Sequence, residues 1–313
     1  MAPPTFRGAR SILAWSCGLA LVAWLVGRTG LAPILAALRE GARPGFLCYT
    51  LLATALPLPL DAWATGRAIS RLGIRVPERD LLLARGASYL AGMLNYALGQ
   101  GSVSWFLVKR GVPAPRAGGA MLFVLATTGL ATMAVTFVAS VLGPSILRSG
   151  ALRWLPSLTL LFVLSYLPGL AAARRLRFLR CHPLLEVLLE APGRDHLLSA
   201  VARLPHLIAM SLLGWGLFRA WGLALPAAAG ISATPVILLV ASLPLTPAGL
   251  GTVPATQVAL LSPFLANLPI EERSTEILAC ALTAQAVTLA TQALIGVISL
   301  ALLRLLNEPA RST

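Results

Sequence analysis

The sequence predicts an all-α integral membrane protein of about eight membrane segments, and three observations predict it. Hydrophobic residues make up 57% of the chain and charged residues only 12%, about half the charged share of a soluble domain. The charges are bunched. Charge-free runs separate Arg43 from Asp61, Arg85 from Lys109, Arg116 from Arg148, Arg153 from Arg174, Arg219 from Glu271, and Glu276 from Arg304. These runs are 17 to 51 residues long, and about 20 apolar residues cross the hydrocarbon, so each holds one or two helices. Finally, the net charge of +14 comes mostly from arginines placed between the apolar runs. That placement orients membrane proteins and does not point to nucleic acid.

The elements follow in order. Ser11–Gly27, preceded by Arg7 and Arg10, imitates a signal peptide. Its apolar core is longer than the usual h-region and Arg28 follows where an A-x-A site would stand, so a retained first helix is expected. Residues 31–39 read as a short surface helix. Membrane helices are predicted at 45–65, 81–98, 118–142, 154–173, 198–218, 224–243 and 277–303. Residues 176–190 pair arginines with Leu and Phe, the pattern of an amphipathic helix lying in the interface. The whole chain, 1–313, reads as a single membrane domain. Residues 1–43 hold the first helix and surface helix, 45–142 a first repeat, 143–197 a linker helix and basic loop, 198–303 a second repeat and 304–313 a tail. The four cysteines, Cys17, Cys48, Cys181 and Cys280, form no C-x-x-C pair and predict neither a disulfide nor a zinc site.

Two places break the helical pattern. One is Leu98-Gly99-Gln100-Gly101-Ser102; the other runs from Pro244 to Gly251 and holds two prolines and two glycines. Backbone freed at membrane depth must find partners in protein or in a wet cavity. The strongest basic loops, 66–80 and 174–197, belong in the cytoplasm, so an even number of crossings separates them. A re-entrant hairpin meets that condition: the chain enters along 81–98, turns at Gly99–Gly101 and returns along 102–108. A second hairpin, entering from the other side, descends along 224–243 and climbs along 252–265. Helix, broken hairpin, helix thus occurs twice in opposite orientation, an inverted repeat of the kind secondary transporters use. Both termini are expected in the cytoplasm, in a bacterial inner membrane, with 266–276 outside.

The segment Leu243-Pro244-Leu245-Thr246-Pro247-Ala248-Gly249-Leu250-Gly251-Thr252 resembles a stretch of the flippase-like family of the lysylphosphatidylglycerol synthase membrane region. Its members often read L-P-x-(T/S)-P-x-G-(L/I)-G. Asn95 through Gly101 to Lys109-Arg110, and the basic stretch Asp61–Gly73, are similar to other segments of that family. The resemblance implies a translocator of lipids or lipid-linked substrates, without the family's soluble aminoacyl-transferase domain. The family usually carries an acidic residue after each glycine turn and often an arginine after the first. Ser102, Trp105 and Pro254 stand at those positions here, which implies a different substrate or a lost activity.

The residues with chemistry to offer are few. An ionisable group inside a span costs about 2.5–3.5 kcal/mol on insertion scales, so a retained one invites a role. Arg85 and Arg203 are the candidates, with His206 three residues beyond Arg203 on the same face. Together the arginines would hold an anionic headgroup; alternatively, each snorkels to the interface. Asn95, Gln100 and Ser102 line the expected first turn, and Thr246, Gly249, Gly251 and Gln257 the second. They form either a polar substrate path or hydrogen-bonded glue between helices. No catalytic constellation, metal spacing or nucleotide loop is present, and Asp61, a lone carboxylate, makes no acid–base pair. The expected function is therefore movement of an anionic or lipid-linked substrate between leaflets, with membrane lipids as partners and no cofactor. Alternatives are a non-catalytic scaffold for an envelope-lipid enzyme or an integral-membrane enzyme.

Overall fold

The computed structural model describes residues 16, 20–27, 30–94, 96–148, 150–180, 182–243, 246 and 249–307. Every regular element among them is helical: α1 (Ala20–Gly27), α2 (Leu31–Gly41), α3 (Pro44–Ala55), α4 (Pro57–Arg71), α5 (Glu78–Gly92), α6 (Tyr96–Lys109), α7 (Ala114–Leu142), α8 (Leu155–Ala173), α9 (Arg177–Arg180), α10 (Pro183–Glu190), α11 (Gly193–Trp221), α12 (Ala227–Ser242), α13 (Thr252–Leu261) and α14 (Ile270–Asn307), with short 3₁₀ turns before α8 and after α13. Of the expected first helix, 11–27, residue 16 and Ala20–Gly27 are described, and both are helical; 11–15 and 17–19 lie outside the described residues.

Five helices among the described residues are long and apolar enough to cross a bilayer. They are Pro44–Arg71 (α3 running into α4), α7, Leu152–Ala173 (containing α8), α11 and Ile270–Leu306 within α14. The eight membrane segments expected from sequence thus reduce to five of crossing length. The reason is length: α5, α6, α12 and α13 have 15, 14, 16 and 10 residues. At 1.5 Å per residue each reaches at most about 24 Å, short of the roughly 30 Å hydrocarbon.

These short helices form two hairpins. Asp80 at the start of α5 pairs with Arg110 just after α6 at 2.7 Å, closing the mouth of the first hairpin at one end of the bundle. That end also holds both basic loops. Arg116 Nη2 donates to the Leu72 carbonyl at 2.8 Å, and Leu188 and Ala191 pack into one apolar cluster with Ile69, Leu81, Phe123 and Leu303. The second hairpin, α12–α13, begins and ends at the opposite end. There Leu223, Leu225 and Leu265 share a cluster with Phe46, Trp221 and Ile277.

The first turn is not where glycine suggested. Gly99–Gly101 lies inside α6, and the chain breaks between Gly92 and Tyr96. Gly99 serves close packing instead: a Cβ there would sit 3.1 Å from the Gly92 Cα and 3.3 Å from the Ser88 carbonyl. Without side chains at 92 and 99, α5 and α6 approach backbone to backbone, the small-residue contact that membrane helices favour.

The same device seats α5 on α14. A Cβ on Gly86 would fall 2.2 Å from Ser299 Oγ, and one on Gly296 2.6 Å from Leu90 Cγ. These contacts fix an antiparallel register that carries the tip of the first hairpin toward the middle of α14. Helix α8 differs from the other helices of crossing length in burying little beyond Thr159. It packs chiefly on α7 and leaves Leu158, Leu161 and Leu164 exposed. Its inner edge is fixed by Tyr166, whose hydroxyl lies 2.9 Å from Nδ1 of the fully buried His196. His196 Nε2 faces the Leu188 carbonyl at 3.1 Å. A carbonyl only accepts, so the neutral tautomer with its hydrogen on Nε2 satisfies both contacts.

Candidate functional site

Helix α4 places Asp61 and Thr65 one turn apart on its inward face. Asp61 is the one acidic residue in α4, and it meets two cations. Arg85 of α5 donates from Nε to Asp61 Oδ2 at 2.7 Å, and its Nη2 donates to the same oxygen. Arg203 of α11 donates from Nη1 to Asp61 Oδ1, while its Nη2 donates to Thr65 Oγ1 at 2.8 Å. Arg85 Nη1 reaches on to Gln100 Oε1 of α6 at 3.1 Å. All five residues are 7% exposed or less, so neither arginine snorkels. His206, one turn beyond Arg203, directs Nδ1 to the Pro57 carbonyl at 3.2 Å.

Two guanidiniums against one carboxylate leave one positive charge over. Buried charges persist only when paired and hydrogen-bonded, and here nearly every donor is engaged. Arg203 Nε is the exception, buried without an acceptor among the described residues. The cluster joins a helix too short to cross (α5) to two segments of crossing length, α11 and the continuous α3–α4, with α6 touching through Gln100.

The structure gathers the two candidate arginines, Arg85 and Arg203, around Asp61, and brings Gln100, expected at the first turn, to Arg85. Asp61 is no half of an acid–base pair, having no second carboxylate beside it in α4. Its signal was electrostatic: a lone carboxylate in an apolar run needs a cation, and two arginines in apolar runs need an anion. Thr65 gave no signal. Ser102 stands apart in α6, its hydroxyl donating to the Gly99 carbonyl at 2.7 Å, and Asn95 lies outside the described residues.

The second break holds the other candidates. Thr246 and Thr252 face each other through hydroxyls 3.1 Å apart, and Thr252 donates to the Gly249 carbonyl at 3.2 Å. Gly249 and Gly251 take φ of 70° and 79°, a left-handed backbone that residues with a Cβ rarely adopt. Gln257, on α13, has its Oε1 buried with no partner among the described residues. Among the described residues no group of three His, Cys, Asp or Glu side chains could hold a metal. Two open cavities, of about 710 and 580 Å³, lie at the basic end.

Crossing helices, two hairpins of sub-membrane length and a buried arginine–aspartate–arginine cluster define a polytopic helical membrane protein with a charged interior. Residues 11–296 match the family described as Lysylphosphatidylglycerol synthase TM region. That is most of the chain, and the protein belongs to this family, which ties it to lipid metabolism. No curated protein matches it.

Proposed function

We propose that this protein moves an anionic phospholipid or lipid-linked headgroup between the leaflets of a bacterial inner membrane, with both termini cytoplasmic and without covalent catalysis. One observation carries the proposal: the surplus positive charge of the Asp61–Arg85–Arg203 cluster, buried where a re-entrant helix meets two crossing helices. Buried arginine suits phosphate because its planar fork offers paired donors. The two hairpins, opened from opposite ends and related as an inverted repeat, give a headgroup polar surfaces within the bundle. The turn around Gly249 and Gly251, with Thr246, Thr252 and Gln257, is the second such surface.

The test uses the full chain in liposomes carrying a fluorescent phosphatidylglycerol and a membrane-impermeant quencher. Quenching of the inner-leaflet probe is expected to outrun that in protein-free vesicles, and Arg203→Gln is expected to slow it about tenfold. Rates equal to protein-free vesicles, for phosphatidylglycerol and for a lipid-linked panel alike, would refute translocation. They would favour a non-catalytic scaffold for an envelope-lipid enzyme. That second reading draws on the closure of the cluster, in which both carboxylate oxygens of Asp61 are already occupied by protein.

A further inference from the structure

We infer that the groove between α4 and α5 is a binding site for an anionic phospholipid of the leaflet beside the basic loops. The groove encloses about 710 Å³ and is lined by Arg67, Arg75 and Arg79 with a single acidic residue, Glu78. All three arginines are exposed. None of them forms an ion pair among the described residues, where the pairs are Asp61 with Arg85 and Arg203, and Asp80 with Arg110. Three unpaired guanidiniums on one cavity are a charge complement for phosphate.

The other walls say that the phosphate belongs to a lipid. Helices α3 and α4 run on as one span, and on one face of it Leu52, Leu56, Trp63, Arg67 and Ser70 are exposed. They stand four, seven, four and three residues apart, the spacing of a continuous helical stripe. Its apolar part faces out of the bundle, where a membrane protein meets acyl chains, and its end enters the groove through Trp63, Arg67 and Ser70. From Leu56 to Arg67 the rise is about 16 Å, close to the roughly 15 Å depth of one leaflet's hydrocarbon. A lipid tail laid along Leu52 and Leu56 thus brings its phosphate level with Arg67. Trp63 stands between tail and headgroup, the depth at which tryptophan concentrates.

The site turns a different face of α4 from the buried cluster. Asp61 and Thr65 point inward, whereas Trp63, Arg67 and Ser70 point into the groove. It requires only that the chain sits in a membrane and does not depend on translocation.

The experiment is lipid titration of the detergent-solubilised, delipidated full chain, read by native mass spectrometry. Phosphatidylglycerol is expected to bind at least tenfold more tightly than phosphatidylcholine. Arg67→Gln/Arg75→Gln/Arg79→Gln is expected to remove one preferentially bound phosphatidylglycerol per chain, and Ser70→Trp, which fills the groove without removing charge, to weaken binding there about tenfold. Arg177→Gln, an exposed arginine elsewhere at the basic end, is expected to bind as wild type. Binding by the triple variant or by Ser70→Trp equal to that of wild type would overturn the proposal. So would displacement of the lipid by glycerol 3-phosphate at equal concentration, which would make the site one for a free anion. Arg203→Gln separates the two hypotheses: it is expected to slow translocation and keep this binding.

Discussion

Replacing Asp61 with asparagine keeps its shape and removes its charge. In the folded protein that strands two guanidiniums, each almost wholly buried, close enough to have shared one carboxylate. The carboxylate charge is lost from three contacts, an amide NH2 replaces one of the two acceptor oxygens, and the local charge rises from +1 to +2. Breaking a buried ion pair by removing one partner costs about 3–5 kcal/mol. Arg203→Gln is different, because Asp61 keeps Arg85 and the remaining pair is neutral. A cost of about 1–2 kcal/mol is expected there, mainly from the Asp61 oxygen and Thr65 hydroxyl left short of a donor. The double variant removes one of the stranded charges, so it is expected to be more stable than Asp61→Asn alone by about 1–3 kcal/mol. Reversible unfolding of the three variants in mixed micelles, by titration with a denaturing detergent, measures this cycle. If Asp61→Asn costs no more than Arg203→Gln, or if the two losses simply add, the carboxylate is not the common partner of both arginines.

Gly296→Leu is expected to force α5 away from α14, because its first added carbon would already lie 2.6 Å from Leu90 Cγ. A loss of about 1–3 kcal/mol in the same unfolding assay is the expected outcome, and wild-type stability would contradict the described register. In a variant lacking the four native cysteines, cysteines placed by Arg177→Cys and Glu272→Cys are expected to react with an impermeant maleimide from opposite sides of sealed vesicles. Labelling of both from one side would sink the proposed orientation.

Much of the architecture was legible because membrane helices announce themselves through missing charge. The crossing helices at 114–142, 155–173 and 193–221 agree with the predicted 118–142, 154–173 and 198–218 to within five residues at every end. Extension past predicted ends, as where Arg67 and Arg71 remain helical in α4, reflects long side chains that carry charge to the interface from a helix still partly immersed. The first hairpin turn was misplaced because glycine carries two meanings. At Gly249 and Gly251 it permits a left-handed turn; at Gly99 it removes a side chain so that two helices touch. Within the site, the arginines were visible as costly residues, but their partner was not. Asp61 and Arg203 lie 142 positions apart, and no local pattern records a contact at that distance.

That separation sets an order of events during synthesis. Asp61 and Arg85 are only 24 positions apart, so they can neutralise each other before α11 is made. At about 5–20 residues per second, Arg203 emerges roughly 7–28 s after Asp61. Helix α11 therefore carries its cation into a membrane that already holds a half-filled receptor for it. The carboxylate acts as a latch with one oxygen taken early and the other kept open, and the late helix finds its depth and rotation by closing it.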